Sequence, residues 1–438
     1  MGRRWPAALA ALVAGAVVLS PGLAAGDDDA RPTADPGAPT PTAPHTGRPP
    51  QGHAPDGRTV GGDDLDTRGV VVGDHAPRLP AGLSASGWLV ADAGTGEVLA
   101  ARDPHGRYYP ASTLKTLTLL TLEPLLDPKR VVVGTAEDEN VEGSRVGLVQ
   151  GGRYPVALLF QALILQSGND AANALARAAG GVEVTVAAMN EVAEDIGAYD
   201  TVAGTPSGLD VAGQSSSPYD LALIFRELVE NRATAAVLTT PSAQMPVVPN
   251  RSPGYQIQNQ NPLAGYPGTL GGKTGFTDAA RHTFVTAAQR HGRRLLVSVM
   301  DTENVPLRAA DQAALLLDWG FALPAGTQAV GSLVEPADLL APATSSTAAT
   351  ATTTAATTAT ATTATATTAA GPARAAGAPA AATASPVLPL SLAGGAVFVV
   401  AATVLGRRRA VRTAREPSPA TDPGTPPRPT GGSPSTPP

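Results

Sequence analysis

The sequence predicts an α+β fold, because two segments typical of β-strands precede a long helical region and three more follow it. The early segments, 88–91 and 97–100, flank a turn that contains Gly94 and Gly96, as expected for a hairpin. The later segments are 270–275, 283–288 and 294–300. Strands at both ends of a domain with helices between them predict one antiparallel sheet of about five strands, flanked by helices, with an inserted helical subdomain.

The region between these strands carries apolar side chains at helical spacing. Val156 and Leu159 begin one such pattern, and a second pattern covers 186–196. Ser217 precedes a proline and opens a third helix, because serine favours the N-cap and proline the first turn. A last helix is expected near 307–319.

The amino-terminal part of the chain is typical of an exported protein. Residues 1–25 contain two arginines, an apolar run and small residues, which is the layout of a signal peptide. Residues 26–80 are rich in Asp, Pro, Gly and Thr and hold few large apolar side chains, so we expect a disordered linker. The composition of an ordinary globular domain begins after it and predicts one domain over 81–325.

The carboxy-terminal part predicts a membrane anchor. A stalk is expected over 326–385, because much of it contains only Ala, Thr and Ser. The charge-free stretch 386–406 is long enough to span a bilayer as a helix. Arginines follow at once, so the positive-inside rule places 407–438, a basic and then Pro-rich tail, in the cytoplasm. We therefore expect a single-pass cell-membrane protein with its domain outside the cytoplasm.

The composition excludes several classes of site. The 438 residues include no cysteine, which excludes thiol nucleophiles, thiolate metal sites and disulfides. The formal net charge of −6 disfavours a nucleic-acid binder that relies on a basic face. Of the 31 basic residues only Lys115, Lys129 and Lys273 are lysines. Because lysine can lose its proton and arginine cannot, the rare lysines favour a chemical role. Lys129, which lies beside Arg130, is the exception, since its presence needs no such explanation.

The first motif is Ser112-Thr113-Leu114-Lys115, at the start of an apolar stretch with helical spacing. Residues three apart lie on one face of a helix, so the Ser112 hydroxyl and the Lys115 amine can approach each other. A serine becomes a good nucleophile when a neighbouring base takes its proton. Lys115 can be that base if burial and a nearby cation, for which Lys273 is the candidate, lower its pKa.

Two further motifs carry hydroxyl, amide and ammonium groups. Ser167-Gly168-Asn169 lies between two predicted helices, where such residues also serve as an ordinary N-cap loop. Lys273-Thr274-Gly275 lies on a predicted strand, where an ammonium and a hydroxyl can bind a carboxylate and a glycine lets a substrate lie close. A phosphate-binding loop is excluded, because Pro267 replaces its first glycine and no helix follows.

In this order the three motifs form the signature of penicillin-binding proteins and class A β-lactamases. Over about 86–300 the sequence resembles the serine D-alanyl-D-alanine carboxypeptidases, the low-molecular-mass penicillin-binding proteins of peptidase family S11. The resemblance implies a DD-peptidase/β-lactamase-like fold. Further matching segments are 109–111, 141–144, 167–172, 189–190, 206–210 and 219–221.

The resemblance implies catalytic roles for three residues. Ser112 is expected to be the acylated nucleophile, Lys115 its general base and Ser167 the proton relay. The backbone amides of Ser112 and Phe276 are expected to form the oxyanion hole.

The resemblance also implies how the substrate is held. Asn169 is expected to bind the substrate backbone, and Lys273 and Thr274, next to Gly275, its terminal carboxylate. The sequence departs from the family pattern at Arg281, which predicts an additional cation near that carboxylate. No counterpart of the carboxy-terminal β-domain of some members is seen, and the stalk takes its place.

The resemblance implies removal of the terminal D-Ala from peptidoglycan stem pentapeptides through an acyl-enzyme, with β-lactams as covalent inhibitors and neither cofactor nor metal. A class A-like β-lactamase is a rival, disfavoured because the second motif is Ser-Gly-Asn and no Glu-x-x-x-Asn loop is found. A catalytically idle cell-wall-binding protein is another rival, suggested by the long linkers and disfavoured by three intact motifs. Endopeptidase or transpeptidase activity and the preferred third stem residue stay open.

Overall fold

The computed structural model describes residues 31–324, 326–335 and 339 of the chain. The predicted signal peptide (1–25), transmembrane helix (386–406) and cytoplasmic tail (407–438) lie outside the described residues, as does most of the predicted stalk. In the part of the chain that the structure describes, no helix is both long and apolar enough to cross a membrane.

One main sheet organises the described residues. Over these residues the strands are β1 (Val70–Val72), β2 (Gly87–Asp92), β3 (Glu97–Arg102), β4 (Val131–Val133), β5 (Arg153–Pro155), β6 (Ser242–Met245), β7 (Tyr255–Gln258), β8 (Thr269–Thr277), β9 (Arg281–Arg290), β10 (Arg293–Thr302) and β11 (Gly331–Ser332). Adjacent strands of the main sheet run antiparallel in the order β1-β3-β2-β10-β9-β8, and β11 is also paired to β3. The pairs β4-β5 and β6-β7 form two small separate sheets. The five predicted strands are therefore present as β2, β3, β8, β9 and β10, and β1 and β11 are additional.

Helices cover both faces of the main sheet. The helices of the described residues are α1 (Lys115–Leu122), α2 (Ala136–Glu139), α3 (Val156–Leu165), α4 (Asn169–Ala178), α5 (Val182–Asp195), α6 (Pro218–Glu230), α7 (Arg232–Thr239) and α8 (Ala309–Phe321). All except α8 lie in the chain between β3 and β8, which confirms the predicted helical insertion between the early and late strands. Every residue of α1 is buried, so this helix forms the centre of the insertion.

Two apolar cores lie on opposite faces of the sheet, because side chains alternate along a strand. On β2, Trp88 and Val90 belong to the core that contains Leu316 of α8. Leu89 and Ala91 of the same strand belong to the core that contains the helical insertion. β2 is buried along its whole length, which explains why its sequence is a continuous apolar run and not an alternating one.

The prediction of a disordered linker is wrong for residues 31–80. Residues 31–69, called the arm below, lie against the domain and lead into β1. Backbone pairing joins Asp35 to Ala212 and Gln51 to Gly106. The side chain of Leu65 is completely buried.

The arm is ordered because the domain supplies most of its partners. Arg31 donates hydrogen bonds to the carbonyls of Asn190 (3.0 Å) and Thr201, and β1 adds to the edge of β3. A segment that cannot bury enough apolar surface to fold alone can still add to a folded surface through backbone hydrogen bonds. Composition alone does not report this kind of order.

The start of the predicted stalk also differs from the expectation. Residues 326–335 follow the domain, where β11 pairs with β3 and the side chains of Val330 and Leu333 are buried. The Leu333 amide donates to the Gly96 carbonyl at 2.7 Å. The folded part of the chain therefore continues past the predicted boundary at 325.

Candidate active site

Ser112 lies in a short 3-10 helix, Ala111–Leu114, that leads directly into α1. Ala111 has φ of 47°, in the left-handed region that non-glycine residues rarely adopt. The Lys115 Nζ donates to the Ser112 Oγ at 2.9 Å. The structure therefore brings the predicted nucleophile and the predicted base into direct contact.

Lys115 is completely buried, and its ammonium has a polar partner in three directions. Besides Ser112, its Nζ donates to the Asn169 Oδ1 at 2.7 Å and to the Ser207 carbonyl at 2.6 Å. Burial, followed by the charge of Lys273, holds the pKa of Lys115 well below its ordinary value, although Asp170 acts in the opposite direction. A buried lysine with a lowered pKa can serve as a general base near neutral pH.

The second motif forms the corner between α3 and α4. Ser167 has φ of 57°, again in the left-handed region, and Asn169 is the first residue of α4. The Asn169 side chain accepts from Lys115 through Oδ1 and donates to the Glu142 carbonyl through Nδ2 at 2.7 Å. The contacts of this amide are thus internal, because they fix Lys115 and the segment that contains Glu142.

Asp170 holds this corner in place, a role that the sequence analysis missed. Its buried carboxylate accepts backbone N–H groups from Val146 at 3.0 Å, Gly147 at 2.7 Å and Leu148 at 2.9 Å. These bonds join the segment before α3 to the start of α4. The sequence offers one signal for this role, because Asp170 is the one carboxylate in a helix rich in alanine. A carboxylate that is buried in such a helix is expected to have polar partners.

The third motif lies on β8, where Lys273 is buried and its Nζ donates to the Thr274 carbonyl at 2.6 Å. Burial lowers the pKa of Lys273 to about 7. Ser167, Lys273 and Thr274 line one small cavity. The cavity joins the second and third motifs, and its remaining walls include Leu165, Gln260 and Asn261.

Two glycines let the chain approach the nucleophile closely. A Cβ on Gly275 would lie 2.9 Å from the Ser112 amide nitrogen and closer still to the Thr283 Oγ1. Gly208 has φ of 81°, and a Cβ there would collide with the Ala111 carbonyl. Position 275 therefore requires glycine because a side chain there would collide with the backbone at Ser112. The sequence predicts a different reason for this glycine, the close approach of a substrate.

The two predicted oxyanion-hole amides lie on neighbouring stretches of backbone. Gly275 abuts the Ser112 amide, and Phe276 is the next residue on β8. The Phe276 side chain is 48% exposed, and its ring lies against that of His282.

The expectation that Arg281 supplies a second cation near Lys273 is wrong. On β9, Arg281 is opposite Thr277, whereas Lys273 is opposite Val285. The backbone positions of Arg281 and Lys273 are therefore four residues, about 13 Å, apart along the strands. The Arg281 guanidinium instead binds both carboxylate oxygens of Glu303, at 2.7 and 2.9 Å.

Comparison with known proteins gives consistent matches for this part of the chain. The sequence model of the D-alanyl-D-alanine carboxypeptidase family, peptidase S11, matches residues 74–304. The D-alanyl-D-alanine carboxypeptidase DacB2 of Mycobacterium tuberculosis is 47% identical over 246 residues, which cover 55% of this chain and 83% of the relative.

Solved structures show the same similarity. A crystal structure of a D-alanyl-D-alanine carboxypeptidase from Mycobacterium tuberculosis aligns with a TM-score of 0.57 at 44% identity, and covers 60% of this chain and 100% of that one. The Streptomyces K15 DD-transpeptidase aligns with a TM-score of 0.52 at 26% identity, and covers 57% of this chain and 99% of that one. Both the predicted fold class and the predicted family are confirmed.

Proposed function

This chain belongs to peptidase family S11, the D-alanyl-D-alanine carboxypeptidases, and we propose that it removes the terminal D-Ala from peptidoglycan stem pentapeptides through an acyl-enzyme on Ser112. The observation that carries the assignment to this serine is the 2.9 Å hydrogen bond from the completely buried Lys115. No external base is needed when the buried amine is neutral.

Acylation begins with proton transfer from the Ser112 hydroxyl to the neutral Lys115 amine. The Ser112 oxygen attacks the carbonyl carbon of the penultimate D-Ala, and the amides of Ser112 and Phe276 stabilise the oxyanion. The peptide bond then breaks, and the proton passes through the Ser167 hydroxyl to the nitrogen of the leaving D-Ala. A water molecule attacks the resulting ester, which releases the shortened peptide and restores the Ser112 hydroxyl.

Lys273 and Thr274 bind the carboxylate that marks the end of the substrate. Their cavity also contains Ser167, so the proton relay and the carboxylate site are adjacent. A carboxylate placed there would stabilise the protonated form of Lys273, whose pKa burial lowers to about 7. Binding of substrate and charging of Lys273 are therefore coupled.

Two assays on one preparation test this function. A fluorescent penicillin should form a long-lived adduct with the wild type and none with Ser112→Ala, and diacetyl-Lys-D-Ala-D-Ala should release D-alanine. Rapid turnover of the penicillin would support the β-lactamase alternative. Adduct formation without D-alanine release would support the catalytically idle alternative.

We propose in addition that the chain is exported and held in the cell membrane by 386–406, with its domain outside the cytoplasm. The support is the apolar, charge-free stretch and the arginines that follow it. A stop codon in place of Val387 should release active enzyme into the medium, whereas the full chain should sediment with membranes. Sedimentation of the shortened chain with membranes would contradict the anchor.

A further inference from the structure

The order of groups along β8 sets the direction of a peptide in the site, given the proposed function. The terminal carboxylate lies at Lys273 and Thr274, and the scissile carbonyl lies at Ser112, beside Gly275. The part of the substrate on the amino side of the scissile bond must then continue past Phe276. It runs toward the turn that joins β8 to β9.

The arm lies at that end of the site. Residues of the arm line one side of a small, partly open cavity, and Tyr109 and Ala280 also line it. Tyr109, Ala111, Ala279 and Ala280 form one buried apolar cluster, so the cavity wall is continuous with the turn that carries Ser112. The arm supplies Pro44, His45, Gly47 and Pro49 to the cavity.

His45 makes the most specific contact of this wall. Its imidazole stacks on the Tyr109 ring, with 5.3 Å between the ring centroids and an angle of 5° between the planes. Tyr109 is only 8% exposed beneath it, whereas His45 itself is exposed. One face of the imidazole thus covers the Tyr109 ring, and the side chain remains accessible to a ligand.

The wall is anchored at its carboxy-terminal end, where the arm is hydrogen-bonded to the segment that leads to the nucleophile. The Arg107 amide donates to the Pro50 carbonyl at 2.9 Å, and the Gly52 amide donates to the His105 carbonyl at 2.9 Å. Such a surface can bind a peptide without an ordering cost at each encounter.

We propose that arm residues 44–49 form the far wall of the subsite for the substrate's acyl portion, where they bind the stem-peptide residues on the amino side of D-Ala-D-Ala. The surface of proline and aromatic rings suits the backbone and aliphatic side-chain atoms of a peptide. The segment precedes the family match, which begins at residue 74.

The test compares two substrates of different length with the full chain. N-acetyl-D-Ala-D-Ala ends before the arm, whereas N-acetyl-L-Ala-D-γ-Glu-L-Lys-D-Ala-D-Ala reaches it. For His45→Ala we expect the ratio of kcat/KM for the long peptide to that for the short one to fall about three- to tenfold, mainly through KM. His45→Phe keeps an aromatic ring and should restore most of the ratio.

The matched control is His53→Ala, which removes an exposed histidine of the same arm and should leave the ratio unchanged. An unchanged ratio in His45→Ala would overturn the proposal. An equal fall for both peptides would also overturn it, because the arm would then act only as a brace for the nucleophile. Wild-type release of D-alanine from the short peptide tests the proposed function separately.

Discussion

Lys115 and Lys273 are the two residues at which this arginine-rich chain needs lysine. In the proposed mechanism Lys115 must be neutral to accept the Ser112 proton, and its burial holds its pKa well below its ordinary value. Lys273 must be compact enough to sit buried on β8 beside the Thr274 carbonyl. Arginine has a larger planar head and stays protonated, so it fits neither position.

Lys115→Arg should lower the rate of acylation by a fluorescent penicillin at least about 10³-fold, because a permanent cation cannot take the serine proton. Lys129→Arg makes the same change at an exposed lysine and should behave as the wild type. Stopped-flow measurement of adduct formation gives both rates. A Lys115→Arg rate near that of the wild type would falsify the role of Lys115 as base.

The pH profile of kcat/KM should have two limbs. Activity rises with pH as Lys115 loses its proton through its lowered pKa, and it falls above about pH 7 as the free enzyme loses the Lys273 charge that binds the carboxylate. Steady-state assays with N-acetyl-D-Ala-D-Ala from pH 5 to 10 measure the two limbs. Lys273→Ala removes the titrating group, so its residual kcat/KM should lack the falling limb.

Residue identities at the site could be predicted better than their contacts. Ser112, Lys115, Ser167 and Lys273 follow from motifs, and the structure brings Ser112 next to Lys115 and Ser167 next to Lys273. The Ser207 carbonyl that accepts from Lys115 could not be predicted, because every residue type has the same backbone group. Contacts of that kind depend on the fold.

At the scale of elements, β8 must pack against the turn that carries the nucleophile. We expect Gly275→Ala to destabilise the protein by about 1 to 3 kcal/mol, because the added methyl would overlap the Thr283 hydroxyl and the Ser112 amide. Acylation should slow as well, since the shift of Ser112 changes its distance from Lys115. Urea unfolding and penicillin labelling measure the two effects.

Gly265→Ala is the control for this substitution, because a Cβ at Gly265 meets nothing within 4 Å. It should leave both stability and labelling close to those of the wild type. Equal effects of the two substitutions would show that close packing at Gly275 is not the cause.

Long strands could be predicted and short ones could not. β2, β9 and β10 are each buried over six consecutive residues, most of them apolar, and a run of this kind predicts a buried strand. β1 has three residues and β11 two, and both rely on the exposed edge of β3 for their hydrogen bonds. Edge pairing of this kind depends on a partner that is distant in sequence.

At the scale of the whole molecule, His105 joins the arm to the domain. Its two ring nitrogens contact the Val60 carbonyl at 3.0 Å and the Asp200 carboxylate at 2.8 Å, and the ring is buried. Burial alone lowers the pKa of His105, but the hydrogen bond and charge of Asp200 outweigh it and raise the pKa above its ordinary value. The charged form is therefore the one that the fold stabilises.

His105→Gln should destabilise the protein on the order of 3 kcal/mol at pH 6 and clearly less at pH 9. A raised folded-state pKa gives stability that is complete below the unfolded-state pKa and is lost as pH rises through the folded-state pKa. Thermal unfolding of both proteins at the two pH values measures the difference. His53→Gln is the control, and a pH-independent difference for His105→Gln would contradict a charged His105.

Over the described residues, the main sheet ends in two short strands at one edge and in the long strand β8 at the other. β1 and β11 cover β3, whereas β8 has only β9 as a strand partner among the described residues. An extended chain that adds to β8 would occupy the catalytic edge, in the manner of a peptide added to a sheet. A chain that adds to β8 would then start aggregation and also compete with the substrate. An enzyme acylated at Ser112 should therefore resist both the aggregation and the competing chain.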